Sequence, residues 1–340
     1  MNELKRAFPA SPDVTPPGSR PPRIAVLIPC FNEEVAIGRV IADFRECLPD
    51  AEIHVFDNNS TDATAAIARR AGALVRSVPL QGKGNVVRRM FADVDADLYL
   101  MVDGDDTYDP GAAPALVARL GEGLDMVVGE RCNSEASAYR PGHRFGNKLL
   151  TRCVGLLFGR TFNDMLSGYR GFSRRYVKSF PAHASGFDIE TELAVHALQL
   201  RMPVAEVKTD YGARPEGSES KLRTYHDGLR ILVTILRLWK VERPLLFFSV
   251  GAAACALLSI VLAVPLVETY LQTGLVPRFP TAILCAALML LGGTLAAVGL
   301  ILDTVTHGRL ELKHLTYLAI PPLPRTAVGA DSVAARESKG

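Results

Sequence analysis

Leu98-Tyr99-Leu100-Met101-Val102-Asp103-Gly104-Asp105-Asp106 is the stretch that decides the fold. Five mostly apolar residues run, without polar alternation, into a cluster of carboxylates. So short and uniform an apolar run is the pattern of a strand buried on both faces, as in a parallel sheet under helices. Asp103 and Asp105 then fall at its carboxyl end, where open α/β sheets hold ligands. Gly104 between them has no Cβ and lets a ligand approach the backbone. Two carboxylates this close repel unless a cation stands between them. A divalent ion shared with substrate phosphates is the usual solution. A solvated acidic turn is the other reading of the same residues.

The pattern repeats toward the N-terminus. Residues 23–29 form a first apolar run, followed by Cys30-Phe31-Asn32-Glu33-Glu34 and a helix to about Cys47 carrying Val35, Ile37, Val40, Ile41 and Phe44 at helical spacing. Asn32 is placed to cap that helix. A second strand, Ile53-His54-Val55-Phe56, ends in Asp57-Asn58-Asn59-Ser60-Thr61-Asp62. Ser60 or Thr61 is expected to cap a helix over 63–71, which Gly72 ends. Residues 73–78 read as a third strand, and Gln81-Gly82-Lys83-Gly84-Asn85 opens the next helix with a cation and free N–H groups that suit a phosphate. This alternation predicts an α/β fold: a mostly parallel sheet with helices on both faces. No G-x-G-x-x-G follows the first strand and no G-x-x-x-x-G-K-[ST] occurs, which argues against a dinucleotide Rossmann site and a P-loop.

The net charge of +2 gives no global field for nucleic acid. The six cysteines are scattered, so a reducing compartment fits and a disulfide framework or zinc site does not. Residues 1–22 are proline-rich without an apolar core and read as a disordered tail, not a signal peptide. Mean hydropathy is positive, and the excess lies after Pro244. Residues 245–267 and 279–302 are uncharged runs of 23 and 24 residues. Each exceeds the ~20 needed to cross a bilayer, which predicts two transmembrane helices within 244–304. Pro265 and Gly292-Gly293 are tolerated in such spans. Ahead of them, 225–239 is amphipathic, with Leu229, Leu232, Val233 and Leu236 opposite Arg230, Thr234 and Arg237. It is expected in the headgroup region with Trp239 as an interfacial anchor; packing on the preceding domain is the other reading. Lys240, Arg243, Arg309 and Lys313 flank the pair, while the loop 268–278 carries only Arg278 among basic residues. The positive-inside rule then puts both flanks in the cytoplasm. Residues 305–340 are expected as a cytoplasmic tail, disordered beyond Pro321.

Ile28-Pro29-Cys30-Phe31-Asn32-Glu33-Glu34, Asp57 to Asp62, Gly82-Lys83-Gly84 and Asp103-Gly104-Asp105 stand in an order that resembles family-2 glycosyltransferases. Within that family the chain looks most like dolichyl-phosphate mannose or glucose synthases and bacterial polyprenyl-phosphate glycosyltransferases. The resemblance implies a GT-A nucleotide-sugar domain over 23–213, then an acceptor loop and juxtamembrane helix over 214–243. It implies that Pro29, Phe31 and Glu33 contact the nucleotide, that Asp57 or Asn58 contacts its base, and that Lys83 and Gly104 line the donor site. Asp103 and Asp105 would be the D-x-D pair holding Mg²⁺ or Mn²⁺ and the diphosphate, with Arg131 near it. Asn163 to Arg170 resembles the D-x-x-S-G-[FY]-R signature, which places Ser167 and Arg170 on the acceptor side. Glu190 resembles the acidic residue near the sugar, and Glu192 reads as a first-turn helix carboxylate. Residues 211–222 match an R-x-x-G-x-S-K type loop whose Arg214 and Lys221 suit phosphates; its extra residue relative to mannose synthases favours a UDP-sugar.

The activity implied is metal-dependent, inverting transfer of a sugar from a nucleotide-sugar to a polyprenyl phosphate such as undecaprenyl or dolichyl phosphate. The setting is the inner (cytoplasmic) membrane, with the catalytic domain facing the cytoplasm. Relatives with a two-span hairpin assemble through it, which leaves a homo-oligomer open. The alternatives are transfer to another lipid, such as ceramide or diacylglycerol, and an inactive nucleotide-binding membrane scaffold. Processive synthases carry a Q-x-x-R-W motif that this chain lacks.

Overall fold

A computed structural model describes residues 21–132, 141–159, 162–181, 189–215 and 224–323, without the side chains of 141–148 and 224–232. The expected tail over residues 1–20, Lys221 and residues 324–340 lie outside the described residues. Seven strands make one sheet: β1 (Ile24–Cys30), β2 (Glu52–Asp57), β3 (Leu74–Ser77), β4 (Leu98–Met101), β5 (Met126–Cys132), β6 (Arg170–Ser173) and β7 (Val204–Asp210). Their order is β3-β2-β1-β4-β6-β5-β7, and only β6 runs antiparallel to its neighbours. The remaining pairings are parallel.

The deciding stretch forms β4 as expected, and its alternation shows why it is apolar throughout. Tyr99 and Met101 enter the core on one face, while Leu98, Leu100 and Val102 enter the core on the other. The first face is covered by α3 (Lys83–Asp93), α5 (Pro141–Phe158), α6 (Arg174–Ser179) and α7 (Ile189–Gln199). The second is covered by α1 (Ile37–Cys47), α2 (Thr64–Arg70) and α4 (Ala113–Gly121), which follows a 3-10 turn at Pro110–Ala112. Successive strand residues point to opposite faces, so a strand between two helical layers has no polar position to spend.

Two expected caps are corrected. Asn32 does not cap α1, whose N-cap is Ala36; its side chain instead accepts from Thr61 N at 2.8 Å. Ser60 and Thr61 do not cap α2; Asp62 Oδ1 accepts from Thr64 N at 3.0 Å, and Ser60 Oγ accepts from Asn32 N at 2.9 Å. These side chains join the loop after β1 to the loop after β2. Asn32, Asn59 and Asp106, in the loops after β1, β2 and β4, all take positive φ (53°, 66° and 58°). Asn and Asp tolerate that conformation best among residues other than glycine.

Beyond β7 come α8 (Thr224–Glu242), α9 (Pro244–Thr273) and α10 (Phe279–Leu318). Among the described residues, α9 and α10 are the two helices long and apolar enough to cross a membrane, and they pair as a hairpin that exposes most of its apolar side chains. Their contact runs along small residues: Ser259 Oγ donates to Cys285 O at 2.9 Å, and a Cβ on Gly292 would meet Ala252 O at 3.1 Å. Small residues at such a seam let backbones approach where lipid supplies no hydrophobic drive. The segment expected as a tail begins as helix: α10 continues without a break from the apolar run through Leu318, packing Leu310 and Tyr317 against the core of the sheet domain. Around Trp239 the packing reading of α8 is the one observed. Its indole N–H donates to Cys153 Sγ on α5 at 3.0 Å, and its neighbours Ile235 and Leu238 pack against the same core. The other face of α8 shows Val233 and Leu236 to the outside.

Candidate active site

The site forms where β1, β2 and β4 end side by side. Pro29 and Phe31 are half-buried at the end of β1, and Glu33 beside them is buried with its backbone N–H on Thr64 Oγ1 at 2.8 Å. Asp57 ends β2. It is buried, and its Oδ1 has no hydrogen-bond partner among the described residues. A buried carboxylate oxygen left open is the kind of group that waits for a donor from a ligand.

Asn58 is corrected as a base contact. Its amide donates to Val78 O (2.9 Å) and Leu80 O (2.7 Å), while its Oδ1 accepts from Gly82 N at 2.7 Å. The side chain is spent on holding the 78–82 loop. That loop aims Lys83, the first residue of α3, into the site. Lys83 Nζ lies 2.6 Å from Asp103 Oδ1 and 2.6 Å from Glu190 Oε1. Burial alone would lower the pKa of this ammonium, but the charges of Asp103 and Glu190 outweigh burial and raise it. Glu190 is buried in the first turn of α7, where a carboxylate is favoured by the helix N-terminus.

Asp105 is buried, accepting from Thr107 Oγ1 at 2.6 Å and pairing with Arg214 Nη2 at 2.6 Å. Its pKa is raised, first by burial and then by the charge of Asp103, with Arg214 pulling the other way. Arg214 also lies 4.0 Å from Glu33 Oε1. The two acids of the D-x-D pair are thus each held by a separate cation, Lys83 on one and Arg214 on the other. Hard oxygen donors on neighbouring residues, one of them with its carboxyl pKa already pushed up by the other's charge, fit a divalent ion such as Mg²⁺ or Mn²⁺.

The other expected residues have these surroundings. Gly104 is required by packing, since a Cβ there would meet Cys30 Sγ at 2.6 Å and Ile28 Cγ2 at 3.3 Å. Arg170 is fully buried, donating to Ser167 O (2.8 Å) and Met165 O, so its guanidinium cannot receive an acceptor phosphate in this arrangement. Ser167 is buried with it and accepts from Tyr169 N at 3.2 Å. Both residues brace the turn before β6. Arg131 is engaged bidentately by Asp164 (2.6 and 2.8 Å) and lies over the Tyr211 ring at 5.3 Å, in the wall of the site. Three residues that motif reading did not single out complete the site. Thr107 orients Asp105, Tyr108 OH accepts from Gly168 N at 2.8 Å, and Gly168 stands so close to the Asp103 carboxylate that any Cβ would overlap it. The only signal for Gly168 is its place in the S-G-Y-R run.

A mostly parallel sheet whose carboxyl edge carries an acidic pair, a basic helix start and an open aspartate is built to receive a phosphate-bearing ligand. The comparisons narrow this. Residues 25–180 match the model of glycosyl transferase family 2. The glycosyltransferase AglJ of Haloferax volcanii is 37% identical over 243 residues, covering 69% of this chain and 78% of its own. A dolichyl-phosphate hexose transferase of the same organism is 29% identical over 220 residues, 65% of this chain and 95% of its own. Glucosyl-3-phosphoglycerate synthase of Mycobacterium tuberculosis, solved with Mn²⁺, UDP-glucose and phosphoglyceric acid, superposes with a TM-score of 0.51 at 25% identity, covering 64% of this chain and 79% of that one. The chain belongs to glycosyl transferase family 2 and is a hexosyltransferase.

Proposed function

We propose that the protein transfers a hexose from a nucleotide-sugar, a UDP-sugar first, to the phosphate of a polyprenyl phosphate held in a membrane. The observation that carries this reading is the union, in one packed chain, of the Asp103/Asp105 edge with two apolar helices of membrane length whose surfaces are bare. The name of the Haloferax hexose transferase and the UDP-glucose and Mn²⁺ of the mycobacterial synthase support it from outside.

The acceptor of this reading requires no dedicated general base. A phosphate monoester has a second pKa near ~6 and is largely dianionic at neutral pH, so it needs no deprotonation before attack. The harder step is departure of the nucleoside diphosphate. A divalent cation on Asp103 and Asp105 would supply the charge that neutralises this leaving group. Asp57 offers its open oxygen to a donor on the base, and Pro29, Phe31 and Glu33 shape the wall beside it. Lys83 and Arg214, now tied to carboxylates, are the cations within reach of donor and acceptor phosphates once those carboxylates are engaged elsewhere. Glu190 fixes Lys83 from the opposite side. Transfer is a single inverting displacement. The hairpin spans the cytoplasmic membrane with both flanks inside, and holding the domain at the surface raises the local concentration of an acceptor that cannot leave the lipid.

The test is to reconstitute the full chain in vesicles containing a polyprenyl phosphate and to supply radiolabelled UDP-glucose, UDP-N-acetylglucosamine and GDP-mannose with Mg²⁺ or Mn²⁺. Label appearing in the lipid extract, and lost when EDTA replaces the metal, is the expected result. No label from any donor in vesicles with polyprenyl phosphate, but label in vesicles with ceramide or diacylglycerol, would replace this acceptor.

A further inference from the structure

α10 has 40 residues, and the apolar run ends at Leu302. The remaining residues, 303–318, continue as one helix for about 24 Å at 1.5 Å per residue. Along that length the helix is fastened to the catalytic domain at successive levels. Thr306 Oγ1 donates to Val241 O at 3.3 Å, next to the start of α9. Lys313 Nζ donates to Gln199 Oε1 at 2.8 Å, and Gln199 in turn donates to both oxygens of Glu242 at 2.7 Å. Farthest from the apolar run, Tyr317 OH donates to Asp125 Oδ2 at 2.7 Å.

Asp125 is a hub. It is fully buried just before β5, accepts from Arg175 at 2.5 and 2.8 Å and from Ser173 Oγ at 2.7 Å, and Arg175 stacks over the Tyr317 ring at 4.7 Å. A single solvated contact would add little, but a buried carboxylate shared by three elements loses heavily if one partner leaves. The catalytic sheet therefore grips the far end of a rod whose other end is the membrane hairpin. The hairpin is held at its near end too, where Arg243, the residue just before α9, donates through Nη2 to Leu157 O on α5 at 3.2 Å.

We propose that residues 303–318 are a strut that fixes the height and tilt of the catalytic site over the bilayer, with Lys313 and Tyr317 as positioning residues for a membrane-held acceptor. The proposal rests on the lipid-acceptor reading above. Neither residue touches the site itself, since Asp125 lies at the opposite end of β5 from the edge that carries Arg131. Their effect is on where the site stands and not on its chemistry.

The experiment uses the full chain in vesicles and compares transfer to a long polyprenyl phosphate embedded in the bilayer with transfer to a short, water-soluble prenyl phosphate. Tyr317→Ala and Lys313→Ala are expected to lower the embedded rate at least about tenfold while the soluble rate stays within about twofold. Tyr317→Phe keeps the ring over Arg175 and is expected to fall between. Hydrogen exchange of residues 305–318 is followed in parallel. Slow exchange in the wild type and fast exchange in Tyr317→Ala support the strut. Equal loss on both acceptors, no loss on either, or fast exchange in the wild type overturns it. If the wild type glycosylates neither acceptor, the acceptor reading fails, and the exchange measurement still decides the docking.

Discussion

Lys83→Met would show whether one ammonium holds the donor side of the site together. In the wild type, Nζ is 2.6 Å from a carboxylate oxygen of Asp103 and 2.6 Å from one of Glu190, and the Lys83 and Glu190 side chains are only 11% and 7% exposed. Methionine keeps the reach of the stem and removes the charge, so two carboxylates are left facing one gap. Removing one partner of a buried pair costs about 3–5 kcal/mol. For a domain of this size each kcal/mol moves the midpoint by about 2–4 °C, so the unfolding midpoint falls by roughly 10 °C. Adding Glu190→Gln removes the repulsion, and the double variant recovers part of the loss, with a coupling of about 2 kcal/mol. The assay is thermal unfolding of the detergent-solubilised full chain near neutral pH without nucleotide. An unchanged midpoint in Lys83→Met, or effects of the two substitutions that simply add, would refute the bridging role.

Asp105→Ala is expected to lower transfer by at least about 10²–10³-fold while the protein still folds and inserts; near-normal transfer in detergent would remove its metal role. Asp57→Ala deletes the open oxygen and is expected to raise the donor KM about tenfold or more with little change in kcat, read from initial rates at varied nucleotide-sugar. His196 is buried against Ser179, and burial, aided by the charge of Lys313, pushes its pKa down to about 3. The unfolded chain takes up that proton near 6.5, so the contribution is intact above that pH and drains away as pH falls toward 3. His196→Leu should therefore lose less of its unfolding midpoint than the wild type on going from about pH 7 to about pH 5, and equal losses would refute the assignment.

How much of this was legible in the sequence follows from what each signal measures. β4 was legible because a strand between two helical layers must be apolar at every position, and residues 98–102 are. The acids at its end were legible because they follow such a run. β6 was not, because Arg170-Gly171-Phe172-Ser173 buries an arginine that no hydrophobic pattern marks. The partners that engage Asn58 and Arg131 and the packing around Gly104 are not legible in the sequence for one reason. Residues beside a ligand site and residues that shape its walls share the same loops, and only three-dimensional partners separate them. The docking of the last turns of α10 is not legible because Lys313 and Arg309 read as flanking charges; Lys313 reaches a glutamine on α7, 114 positions earlier.

The charges at the site carry one further consequence. Among the described residues, Glu33, Asp103, Asp105 and Glu190 face one another across Lys83 and Arg214, four carboxylates against two cations. Among these described side chains the acids outnumber the cations, and a nucleoside diphosphate would add more negative charge beside them. Moving Lys83 and Arg214 onto phosphates would leave Asp103 and Asp105 uncovered, at a cost that grows with their burial. A divalent cation resolves both sides at once, since it covers the aspartates and the diphosphate together. On the proposed function, donor affinity would then depend on the metal through electrostatics. Arg214, at the border of the loop expected to meet the acceptor, is the cation that this exchange would release for a second phosphate.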